Sequence, residues 1–284
     1  MKKTTASLLA GIAGLALSTA SVNAQILMFE NWNDAPLGDI HPTSGSGYTG
    51  AWSNIGFNAL WPGGHTSVQP VNSLAEIRTD SNNLFGRGTD NQVLFLDAAA
   101  GINMNFSMPT GVQVATLSYE MYVTGFHSVG TSRLTTRFYD EGGGTIINHG
   151  LQRRTASSAD FRFRNEAERF DLNTTYRFEV VVNNSENTIN VGGPDGAHDI
   201  DSGMTAVWVN GSLSTIYNYG QTANSVRGDI GRIAMETFTD NTWSAYVDEV
   251  FIQEGAFVIP EPSTYALIFG LLALSGAAYV RRRR

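Results

Sequence analysis

The chain predicts an all-β fold, an antiparallel sandwich or barrel, and three observations carry that expectation. Short apolar or alternating runs recur between turn residues, over 26–30, 92–97, 114–123, 133–139, 161–164, 176–182, 205–209, 212–217, 230–238 and 243–253. No stretch between 25 and 259 keeps the apolar period of a long helix. The pair Asn210-Gly211 falls between two of the runs, and both residues tolerate the positive φ that a tight hairpin demands.

Taken in order, the first run leads through Phe29-Glu30-Asn31-Trp32 into a segment, 31–91, rich in Gly, Asn, Ser and Trp with weak alternation. That segment is either an irregular face of the same fold or a set of long loops, since some sixty structureless residues are unusual in a compact domain. In 114–123 the period is two: Leu117, Tyr119, Met121 and Val123 point to a core, while Thr116, Ser118, Glu120 and Tyr122 point the other way. Over 133–139 and 161–164, and again near 177, arginines alternate with Leu134, Phe138, Phe161, Phe163 and Phe178. Residues 183–187 separate 176–182 from 188–191 in the manner of a hairpin turn, and 192–203 reads as a Gly- and Asp-rich turn segment. The strand 243–253 closes the series.

Composition narrows the function. Between residues 25 and 259 there are 12 arginines, no lysine and 25 acidic residues, a charge of −13 with histidine neutral. Phosphate backbones are gripped mainly by cations, so nucleic acid is excluded as a partner class. The chain has no cysteine, which removes disulfides, thiolate metal sites and cysteine nucleophiles together.

The two ends read as addresses. Lys2 and Lys3, an apolar run over 8–17 and Val22-Asn23-Ala24 form a signal peptide, 1–24, that signal peptidase would cut before Gln25. The folded part then spans 25–259. The tail 260–284 holds Pro260, Glu261 and Pro262, a nearly uncharged run over 265–280, and Arg281, Arg282, Arg283 and Arg284. As a helix the run reaches about 24 Å against a hydrocarbon thickness of about 30 Å, so the flanking arginines have to help it cross; they keep the C-terminus cytoplasmic. This tripartite tail resembles the PEP-CTERM sorting signal. The resemblance implies a Gram-negative host, an exosortase that removes the tail, transient attachment to the inner membrane, and release to the cell surface or the extracellular matrix alongside exopolysaccharide. A plain anchor that stays attached would need the same apolar helix.

The opening strand, the Asn-Gly hairpin and the closing Ala245-Tyr246-Val247-Asp248-Glu249-Val250-Phe251-Ile252 strand resemble a concanavalin A-like or LamG-like jelly roll, which implies an antiparallel β-sandwich. Candidate sites lie on it. Asp195, Asp199 and Asp201 could fold round a Ca²⁺ ion, which needs six to eight hard oxygens, or could be a solvated turn. Arg133, Arg137, Arg162, Arg164 and Arg177 would share one face if their strands share a sheet, beside Tyr139 and also Glu120 and Glu179, and would suit an acidic polysaccharide; cross-strand pairing with carboxylates is the plainer account. Among Trp32, Trp52, Trp61, Trp208 and Trp243, Trp61 heads a Pro-Gly-Gly loop that could stack on a sugar, whereas Trp208 and Trp243 fit a core. For catalysis, Glu166 with Glu168, Asp199 with Asp201, and Glu236 with Asp240 are the nearest carboxylate pairs, but none sits in a glycosidase or lyase pattern, and His41, His65, His127, His149 and His198 are scattered. The sequence therefore reads as an exported, non-catalytic structural or carbohydrate-binding component, with a secreted polysaccharide-active enzyme as the alternative.

Overall fold

The computed structural model describes residues 26–33, 37–39, 74–98, 103–126, 133–153, 160–163, 168–193, 195–218, 228–237 and 243–256. The signal segment, the tail, Trp52, Trp61, Arg164, Glu166 and Asp240 lie outside them. All regular elements among these residues are strands, and every pairing is antiparallel. Among the described residues no helix is long and apolar enough to cross a membrane.

The larger sheet has nine strands. Its order runs β15 (Ser212–Tyr217), β14 (Met204–Val209), β11 (Thr175–Asn183), β6 (Val114–Phe126), β17 (Trp243–Glu254), β4 (Gln92–Ala98), β3 (Leu74–Thr79) and β2 (Gly38–Asp39), while β1 (Ile26–Glu30) pairs with the second half of β17. The smaller sheet has six, β10 (Phe170–Asp171), β9 (Asp160–Phe163), β8 (Thr145–Arg153), β7 (Arg133–Asp140), β16 (Ile230–Thr237) and β5 (Asn103–Val112). Alternation in each strand supplies one apolar face, and the two apolar faces meet. Leu117, Tyr119, Phe178 and Val180 from the larger sheet share a core with Leu134, Phe138, Phe161, Phe163 and Ile233 from the smaller. Phe178 touches Phe163 and Phe170 across the gap at 5.6 Å each, both edge to face, the geometry that aromatic quadrupoles favour. The fold is thus an antiparallel β-sandwich.

A third layer covers one end. The hairpin of β12 (Ile189–Gly193) and β13 (Gly196–Ile200) lies outside the larger sheet, packing Val191 and Ile200 on Val181, Ala206 and Trp208. Thr116 and Ser118, outward by alternation, are nonetheless buried. Three sequence expectations change here. Residues 183–187 do not join a hairpin, because the buried Asn183 amide donates to the carbonyls of Asn187 and Ile200, both at 2.8 Å, and turns the chain out of the sheet. The segment 192–203 is largely strand rather than turn. Trp208 is buried, but in this outer cluster and not between the sheets; Trp32 occupies the main core. Asn210 and Gly211 do form the expected tight turn, with φ of 51° and 82°.

Candidate functional site

The acidic segment resolves into hairpin contacts. Asp195 accepts from the Leu213 amide at 2.6 Å and pairs with His198 Nε2 at 3.1 Å; burial pushes its carboxyl up, but these bonds together outweigh it and hold the carboxyl below the ordinary range. Asp199 accepts from Asn190 Nδ2 across the ladder at 2.6 Å, and Asp201 from Thr188 Oγ1 at 2.9 Å. Each carboxylate has its own partner, and among the described residues no group of three or more His, Asp or Glu side chains is arranged to hold a metal ion.

The arginines divide between the two sheets. Arg133, Arg137 and Arg162 lie on β7 and β9 of the smaller sheet, whereas Arg177 lies on β11 of the larger one with Glu120 and Glu179. They do not form one face. On the smaller sheet Leu134 and Phe138, Ile233, and Phe161 and Phe163 fill the core, so Arg137, Arg232 and Arg162 project outward. The Arg232 guanidinium stacks 4.0 Å over the Tyr139 ring, and Arg137 Nη1 donates to Tyr139 Oη at 3.4 Å. Register fixes their spacing: Arg162 is opposite Gln152, Arg137 opposite Asn148, and Arg232 opposite Tyr139. Gly150 lies between the Gln152 and Asn148 rows, where a Cβ would meet nothing nearer than Thr135 Oγ1 at 3.6 Å. The three arginines thus follow a diagonal across the sheet, and Gly150 and Thr135 between them are buried.

The outer face of the larger sheet carries a cluster that the sequence reading did not assemble. Arg87, on the loop between β3 and β4, reaches Glu120 Oε2 at 2.8 Å, Asp248 Oδ2 at 3.1 Å and Glu249 Oε2 at 2.9 Å. Arg177 pairs with Glu179 at 3.0 Å and approaches Glu120 and Glu249, each at 3.8 Å. The loop is fixed by Asp80, whose carboxylate accepts from the Leu84 and Phe85 amides, and by Thr175 Oγ1, which donates to the Leu84 carbonyl at 2.6 Å. Asp248 has none of its side chain in water, and burial pushes its carboxyl up to about 6, against the Asn91 and Glu249 hydrogen bonds and the Arg87 charge. Burial likewise raises Glu179, with Arg177 opposing. Burial alone would lower Arg87, but the hydrogen bond and charge of Glu120, with Glu249 and Asp248, outweigh it and hold the guanidinium firmly charged. Glu249 adopts φ 45°, uncommon for a residue with a long side chain, where β17 slips register against β6.

One pleat along, Phe95, Tyr246 and Tyr122 form a cross-strand row over β4, β17 and β6. Phe95 and Tyr246 lie 4.8 Å apart, Tyr246 and Tyr122 6.4 Å, and Arg78 covers Phe95 at 3.7 Å. In the sequence this face showed in the outward phase of Glu120 and Tyr122 and in the grouping of Arg177 with Glu120 and Glu179.

His149, scattered in the sequence, is buried between the sheets. Its Nδ1 bonds the Tyr217 hydroxyl, and burial lowers its pKa to about 3, so it is neutral and away from any surface site.

No protein-family profile and no curated protein matches the chain. Solved structures give remote likenesses. The CBM2 module of the evolved Dit of Lactobacillus casei BL23 phage J-1 is 10% identical, with 81% of this chain and 95% of that one covered and a TM-score of 0.42. Domain 4 of AbnA, an extracellular arabinanase from Geobacillus stearothermophilus in complex with arabinotriose, is 11% identical, with 85% and 96% covered and a TM-score of 0.42. The polysaccharide lyase family 7 alginate lyase AlgAT5 is 12% identical, with 59% and 81% covered and a TM-score of 0.37.

Proposed function

We propose that the protein is an exported jelly roll of the concanavalin A-like kind, sorted by exosortase, that binds an acidic polysaccharide at the cell surface or in the extracellular matrix without cleaving it. The observation that carries the binding is the diagonal of Arg162, Arg137 and Arg232 on the outer face of the six-stranded sheet. From strand spacing and rise, Arg137 stands on the order of 8 Å from Arg232 and 16 Å from Arg162, Cα to Cα. That is a line of charges suited to an extended polyanion, and guanidinium groups grip carboxylates and sulfates in bidentate fashion. The charge of −13 over residues 25–259 works against a polyanion at long range, so recognition depends on this local array and on salt that screens the remainder.

Calorimetric titration of the full chain, held in mild detergent, with sodium alginate tests the reading. Arg137→Gln with Arg162→Gln is expected to weaken binding by roughly tenfold or more at unchanged unfolding midpoint, since outward side chains contribute little packing. Binding equal to the parent would remove the arginine face as the site. A fall in alginate viscosity during incubation would point instead to a polysaccharide-active enzyme.

A further inference from the structure

The outer face of the nine-stranded sheet combines three things that an acidic-glycan site on the other sheet leaves unused. The first is the aromatic row. Arg78 closes its Phe95 end, while Tyr246 and Tyr122 are only half-buried. The second is the adjoining polar row of Arg177, Glu120 and Asp248, which are cross-strand partners, with Arg87 and Glu249 reaching into it. Arg87 is held by three carboxylates, so donors and acceptors stand at fixed positions rather than on free side chains. The third is a pair of buried polar atoms without hydrogen-bond partners beside the same cluster. Ser118 Oγ, 1% exposed, shares the outward face of β6 with Glu120, and Trp208 Nε1, 3% exposed, belongs to the residue opposite Glu179.

The charge of this face selects its occupant. Arg78, Arg87 and Arg177 stand among Glu76, Glu120, Glu179, Asp248 and Glu249, so no positive excess is left for a polyanion. A neutral sugar has the complementary chemistry: an apolar C–H face for an aromatic ring, and hydroxyls that each donate and accept. We propose that this face is a second glycan site, taking a neutral oligosaccharide that stacks on Tyr246 and Tyr122 and hydrogen-bonds Glu120, Glu249 and Arg87. Three adjacent strands give the row a width of about 10 Å, room for about two sugar rings. The site stands independently of the acidic-glycan reading. Together the two faces make the sandwich a bridge between an acidic and a neutral polymer.

Calorimetric titration of the full chain in mild detergent with cellohexaose and with xylohexaose tests this. At least one hexasaccharide is expected to bind, with an affinity indifferent to added salt. Tyr246→Leu, which keeps apolar volume but removes the ring, is expected to cost roughly tenfold in affinity, and Tyr246→Phe to bind as the parent does. The pair Arg137→Gln and Arg162→Gln is expected to leave neutral-sugar binding unchanged. Absence of binding by both hexasaccharides, parental affinity in Tyr246→Leu, or loss of binding in the arginine pair would each overturn the proposal. Alginate binding that survives Tyr246→Leu separates the two sites: failure of one titration leaves the other standing.

Discussion

Asp248 lies opposite Glu120 in the closing strand, bonded by Asn91 and Arg87 and shut away from water. Its neighbours explain an asymmetry in the pair. Arg87 is shared with Glu120 and Glu249 and stays charged, while Asp248, more deeply buried, is pushed toward its protonated form. A carboxyl raised to about 6 in the folded chain binds its proton more tightly there than in the unfolded chain. The stability it contributes is therefore complete below the ordinary carboxylate range and is lost as pH rises through about 6. His149, lowered to about 3, acts in the opposite sense: its contribution is present above the ordinary imidazole range and lost as pH falls. Asp248→Asn keeps the shape and removes the titration. Urea unfolding of parent and variant between about pH 4 and pH 7 should give a difference that changes by up to about 3 kcal/mol, the parent losing ground toward neutrality. A difference that stays flat across that range would show that Asp248 does not titrate as its burial requires.

Strands with clean alternation were legible, and those whose character is set by position in the sheet were not. β6 and β15 follow their sequence patterns, because one face of each run is apolar or a turn fixes its end. β5 alternates from Asn103 to Met108 and then meets Pro109; the proline is tolerated because β5 is an edge strand, where a missing N–H need not interrupt a ladder. β8 is interrupted by Gly150, and β13 holds Gly196 and Asp199, residue types that suggested a turn. The site was harder still. Arg87, Glu120, Arg177 and Asp248 come from four separate segments, and only cross-strand register places them together; the arginine diagonal likewise depends on which of two sheets each strand joins. The outer hairpin hangs on Asn183, whose side-chain Oδ1 also accepts from the Ser185 amide and hydroxyl. Asn183→Ala would remove the acceptor of the Ser185 amide and the side-chain donor to the Asn187 and Ile200 carbonyls, at a cost of about 1–3 kcal/mol. Hydrogen exchange should quicken in β12 and β13 ahead of β6 and β11; uniform protection across all four strands would count against this role.

At the scale of the whole chain, the two proposed glycan faces, on opposite sides of one sandwich, require a molecule free to meet polymers on both. On the proposed sorting by exosortase, removal of the tail would supply that freedom. Intact-mass measurement on protein from the native host is expected to show a mature form beginning at Gln25 and ending before Arg281; a mature form still ending at Arg284 would leave a permanent anchor as the better account. The pairing of β1 with β17 has its own consequence. Ile26 stands opposite Gln253, so the first and last strands of the sandwich begin and finish side by side, about 5 Å apart between Cα atoms. Topologically the sandwich is a ring cut at one point. A few residues would join its ends at little entropic cost, and a new opening in a surface loop would then move the point of attachment to another corner, changing which face is presented to the surroundings.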